Sequence, residues 1–179
     1  MAADSYSVSI SNEEIAYSIL DELSYTLWRQ HRLLEVLQFK LEVEQMLLAS
    51  GNARWLDQAT REVEAVLDQI RTEELQRATQ LRRVSTVFRL ADEPSLSDLV
   101  SICSSPWDDI FREHQAMLLT AVAAVEDAAT TNRTLLHKGL ADTRMFLRSM
   151  QGQRGPAGYS RSGETTPPQI APTIFDSDA

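Results

Sequence analysis

Three histidines and a single cysteine are the side chains best suited to chemistry near neutral pH in this chain of 179 residues. His31, His114 and His137 lie far apart, and none follows a Glu or Asp by three residues. The Glu-x-x-His pair of di-iron bundles is therefore missing, as is the His-Glu-x-x-His of zinc proteases. Cys103 alone can build neither a thiolate zinc site nor an intrachain disulfide, and it fits a reducing compartment. No glycine-rich loop ends in Gly-Lys-Ser or Gly-Lys-Thr, so the sequence offers no phosphate cradle. Its carboxylates stand among arginines at helical spacing, the pattern of solvated surface pairs rather than of a catalytic dyad. These residue types point away from an enzyme and from any metal or cofactor, and towards a surface that binds another protein.

Aromatic and thioether side chains are the natural anchors of such a surface. Trp28, Trp55 and Trp107 are candidates, with packing in the core as the competing role. Met117, Met145 and Met150 offer adaptable contacts, or fill gaps between helices. What these groups do depends on the elements that carry them.

The composition, rich in Leu, Ala, Glu, Arg and Gln, predicts an all-α fold. Leu20, Leu23, Leu27, Leu34, Leu37, Leu41 and Leu48 recur every three or four residues and form one stripe of a long helix. Leu56, Ala59, Val63, Val66, Ile70, Leu81, Val84 and Phe88 repeat the device. Between them Gly51 can end a helix in the left-handed conformation, and Asn52 can cap the next. The result is a long antiparallel, coiled-coil-like hairpin over residues 11–91, with arms about 60 Å long at 1.5 Å per residue. A turn at Gly51 sets opposite residues to numbers that add to about 103, which places Gln30 across from Glu73 as a polar interruption of both stripes.

The remaining boundaries follow from caps and prolines. Ser11 and Glu14 form a capping-box pattern after a frayed start at residues 1–10. Pro94 ends the hairpin, and Ser95 to Asp98 opens a short helical turn within a link over 92–105. Ser105, as cap, and Pro106, at the first helical position, start a third long helix over 106–151. Hairpin, link and third helix make one helical domain, 11–151, followed by a Gly- and Pro-rich flexible tail at 152–179. The third helix carries Leu118, Val122, Val125, Ala129, Leu136, Leu140, Leu147 and Met150 on one stripe, with Asn132 as its polar member. That stripe either packs permanently on the hairpin or receives a visiting helix.

The net charge of −9 falls mostly on the first fifty residues and the link, and no basic stripe with interleaved aromatics exists for nucleic acid. The longest apolar run, Ala116 to Val125, is too short to span a bilayer, and no signal peptide precedes the first helix. A cytoplasmic location with no membrane insertion is expected.

Leu27-Trp28-Arg29-Gln30-His31-Arg32-Leu33-Leu34-Glu35-Val36-Leu37, then Leu41 to Gly51 with Glu44, Arg77, Asn132 with Leu135 and Leu136, and Tyr159 in the tail stand in the order of the flagellar export chaperone FlgN family, which the chain resembles over about residues 20–163. The resemblance implies a chaperone for hook–filament junction proteins, FlgK-like or FlgL-like, that prevents early assembly and delivers them to the type III export gate. It implies substrate contacts at Asn132, Leu135 and Leu136, beside the stripe residues Leu118, Val122, Val125, Leu140 and Leu147, and an export-gate contact at Tyr159. The alternative from the residues alone is a coiled-coil adaptor or dimeric scaffold without chaperone activity.

Overall fold

The computed structural model describes residues 12–90 and 94–152. The expected frayed start, residue 153 onwards and Tyr159 lie outside these residues. The chain is all-α: helices α1 (Asn12–Ala49), α2 (Leu56–Phe88), α3 (Leu96–Ile102) and α4 (Trp107–Gly152), with no strand among the described residues. By contact it divides into two compact units, Met1–His137 and Lys138–Ala179.

The hairpin turn forms for the reason read from the sequence. Gly51 adopts φ +66°, its N–H donates to the Leu48 carbonyl at 3.3 Å, and the Asn52 N–H donates to that of Leu47 at 3.1 Å. This is a Schellman ending, in which the left-handed residue frees two N–H groups to satisfy the last carbonyls. Asn52 stands three residues before the N-cap position of α2 and does not cap that helix. A further turn over Ala53 to Trp55 intervenes, and Trp55 holds the N-cap position of α2 without a side-chain hydrogen bond.

Across the hairpin the register matches expectation. Lys40 pairs with Glu62 at 2.7 Å, Thr60 donates to Glu44 at 2.7 Å, and Arg29 and Arg83 pair with Glu73 and Glu22. Gln30 and Glu73 are both buried, so the expected polar interruption does occupy a layer inside the bundle.

α3 is opened by a complete capping box. The Ser95 N–H donates to the Asp98 carboxylate at 2.8 Å, and the Asp98 N–H donates to the Ser95 hydroxyl at 3.2 Å. The Ser95 hydroxyl, then its N–H, hold the Asp98 carboxyl below its ordinary pKa. α4 begins one residue later than the sequence suggests. Trp107 is the first helical residue, and Pro106 stands outside it, accepting from the Ile110 N–H at 3.1 Å as an N-cap carbonyl does.

Two apolar clusters hold the first unit together. In one, Ile19, Leu20, Leu23 and Leu27 of α1 meet Leu81 and Val84 of α2, Leu99 of α3 and Phe111 of α4. In the other, Leu37 and Leu41 meet Val63, Val66 and Ala128. Here α4 runs parallel to α1, since Phe111 packs at the level of Leu23 and Asn132 at the level of Leu41.

Polar groups punctuate this core. Buried Glu44 accepts from Thr60 of α2 through one oxygen and from the Asn132 amide of α4 through the other, at 3.0 Å. The same amide donates to the Leu41 carbonyl at 2.9 Å. One layer therefore ties three helices. Higher up, His114 is buried against the edge of the Trp28 ring, 5.5 Å between centroids, with its Nε2 2.8 Å from the Ser24 hydroxyl.

Two expectations follow. Replacing Asn132 by Leu leaves Glu44 and the Leu41 carbonyl short of a buried donor, and should lower stability by about 1–3 kcal/mol in urea unfolding; an unchanged midpoint would show the layer to be dispensable. Burial, opposed by Glu113 and helped by His31, holds the His114 pKa below its ordinary 6.5, so the folded ring stays neutral where the unfolded chain takes a proton. The unfolded state then binds more protons below about pH 6.5. Stability is retained above that pH and falls as pH drops below it, and His114→Gln should flatten that slope relative to the parent chain.

Candidate protein-binding site

Among the described residues no three His, Cys, Asp or Glu side chains cluster closely enough to hold a metal. Burial, and then the Asp108 carboxylate, push the Cys103 thiol up from its ordinary pKa, which keeps it protonated and a poor nucleophile. His31 lines a shallow groove of about 380 Å³ between α1 and α4, with Glu35 opposite the small residues Ala116, Thr120 and Ala124. The Thr120 hydroxyl there donates to the Ala116 carbonyl of its own helix at 2.9 Å.

The tryptophans separate into two roles. Trp107 stacks on Phe111 with 5.8 Å between centroids and packs against the first cluster. Trp28 and Trp55 are half exposed, and the Arg54 guanidinium lies 5.1 Å over the Trp55 ring.

α4 carries the extended apolar surface. Its packed face reads Phe111, His114, Leu118, Ala121, Val125, Ala128, Asn132 and Leu135, alternating steps of three and four residues. Such a seven-residue repeat is the signature of a seam between helices. The next two positions of the same repeat are Gly139 and Asp142, which cannot continue it. From Leu136 the apolar residues resume one place further on, at Leu136, Leu140, Leu147 and Met150, with Thr143 among them. One residue is about 100° of helix rotation. The apolar positions along α4 therefore step by one residue between Leu135 and Leu136.

This phase change sorts the residues singled out from the sequence. Leu118 and Val125 are partly buried against the two clusters, Leu135 is half buried, and Asn132 is 3% exposed with its amide consumed by α1. Val122, Leu136, Leu140 and Leu147 are exposed. Every residue from Leu136 to Met150 is exposed. The single stripe expected from the sequence is thus two surfaces, one packed and one open.

Reading the leucine spacing alone also missed Phe146, which is 62% exposed and borders the second seam beside Leu147 and Met150. Its signal was present: a large aromatic adjoining that arc, in a stretch whose older repeat had already stopped at Gly139. Among the described residues no helix is long and apolar enough to cross a membrane.

No curated protein and no solved structure matches the chain. The FlgN protein family does, over residues 19–167, which takes in all but the first residues of the hairpin, the link and the whole of α4. On that match the chain belongs to the FlgN family.

Proposed function

We propose that this chain is a cytoplasmic flagellar export chaperone that holds the helical end of hook–filament junction proteins, FlgK-like or FlgL-like, and passes them to the type III export gate. Membership of FlgN, a family of flagellar chaperones, supports the general role. The observation that carries the cargo site is the open seam of α4, Leu136, Leu140, Leu147 and Met150 with Phe146 beside it.

An exposed row of this kind is the complement of an amphipathic helix, which lays its own apolar face against it. Burying such a row removes hydrocarbon from water on both partners, and each large side chain contributes about 1.5–3 kcal/mol. The cargo gains by having its own oily end covered before assembly. Leu118, Val125, Asn132 and Leu135 serve the site differently: they seat the first part of α4 on the hairpin, and the packed repeat stops where the open one starts. Val122 adds an exposed apolar group earlier on the helix. Tyr159, by resemblance to the family's tail aromatic, is the proposed contact with the export gate.

The test is co-purification of the full chain with a FlgK-like or FlgL-like protein. Leu140→Glu with Leu147→Glu should weaken cargo binding by tenfold or more, since each tenfold corresponds to about 1.4 kcal/mol. Leu119→Glu, at an exposed position of α4 outside the seam, should leave it unchanged. Full retention by the double variant would remove the seam from the reading, and failure of the unaltered chain to hold either junction protein would remove the reading itself.

A further inference from the structure

Charge is segregated along α4. Residues 107–132 carry five carboxylates and one arginine, whereas 133–152 carry three arginines, one lysine and the single carboxylate Asp142. The arginines of the second stretch also differ in their surroundings. Arg32, Arg61, Arg71 and Arg112 each pair with a carboxylate three or four residues away on their own helix. Arg144 has Leu140, Ala141, Leu147 and Arg148 at those distances, and Arg148 has Arg144, Met145, Gln151 and Gly152. Their own helix denies them a counter-charge, and among the described residues neither makes an ion pair. Both are exposed.

Their position on the helix is specific. Leu140 forms one edge of the open seam, Arg144 borders it there, and Arg148 follows one turn on, on the same side. Asp142 falls on the opposite flank. In paired helices the residues beside an apolar seam select the partner through opposite charge. We infer that the segment received by this seam is an acidic amphipathic helix, whose Asp or Glu residues, beside its apolar stripe, meet Arg144 and Arg148. This rests on the chaperone reading for its site and adds to it the chemical class of the occupant.

A basic amphipathic helix can also lie on an anionic membrane. The seam favours a helix partner. With Phe146 included its apolar arc is only about 120° wide, with Thr143 and Gly139 inside it, a narrow strip suited to a neighbouring helix rather than to immersion in lipid.

Two synthetic helical peptides decide the matter, sharing one leucine stripe and differing only in Glu or Lys at the flanking positions. Isothermal titration against the full chain should favour the Glu peptide by about tenfold at low salt, two exposed pairs each worth up to about 1 kcal/mol. The preference should shrink with added salt. Arg144→Glu with Arg148→Glu should invert it, and Arg144→Gln with Arg148→Gln should abolish it should the first variant lose helicity by circular dichroism. Equal affinities, no binding of the Glu peptide, or tighter binding to phosphatidylglycerol vesicles than to either peptide would overturn the inference. Peptide selection without capture of a junction protein would instead sink the chaperone reading and leave the charge preference standing.

Discussion

A buried carboxylate with two donors decides how this chain is put together. Glu44 cannot be left unpaired inside a helical bundle, because an isolated buried charge loses several kcal/mol of hydration. Thr60 and Asn132 supply the hydrogen bonds, one from each neighbouring helix. Sliding α2 or α4 by a turn would strip Glu44 of a partner, whereas the leucines around it would tolerate the slip far better. Dispersion and burial hold the helices together; this layer fixes which residues meet. Gln30 and Glu73, a few turns away, repeat the logic, with Arg29 reaching in to pair with Glu73.

The hairpin was legible because its information is local. Gly51 is the one glycine between two long apolar repeats, and once the turn is placed the register of both arms follows. The Ser95–Asp98 box is equally local, four residues making both of its hydrogen bonds. Where the reading slipped, the deciding contact lay elsewhere. Asn52 has the right chemistry for a cap, yet α2 does not start until Leu56, which leaves Trp55 rather than Asn52 at the N-cap position. Asn132 reads as the polar member of the third-helix stripe, and its partner 88 residues earlier cannot be seen from its own neighbourhood.

The third helix shows a subtler limit. Leu118 and Leu136 are eighteen residues apart, five turns of a 3.6-residue helix, so on an ideal helix they share one face. The packed seam keeps a seven-residue repeat instead, and drifts about 20° per heptad against the straight helix. A wheel drawn over the whole of α4 therefore merges residues that packing separates. The break at Gly139 and Asp142 was written in the sequence, but it becomes visible only when the repeat is followed from Phe111 rather than from the leucines.

That break also explains how one helix can serve stability and recognition without compromising either. If the open seam continued the packed one, any substitution that tuned partner binding would also alter the core, and a cargo helix could compete for the hairpin itself. Stepping the apolar positions by one residue separates the two. Phe111 to Leu135 answer to α1 and α2, while Leu136 to Met150 are free of that demand. The charge pattern changes near the same place, from carboxylates to arginines. An exposed leucine row on its own invites indiscriminate association. Cations with no local counter-charge discourage two copies from pairing in parallel through that row, because Arg144 and Arg148 would then face their own images, whereas a partner bearing carboxylates gains from the same groups.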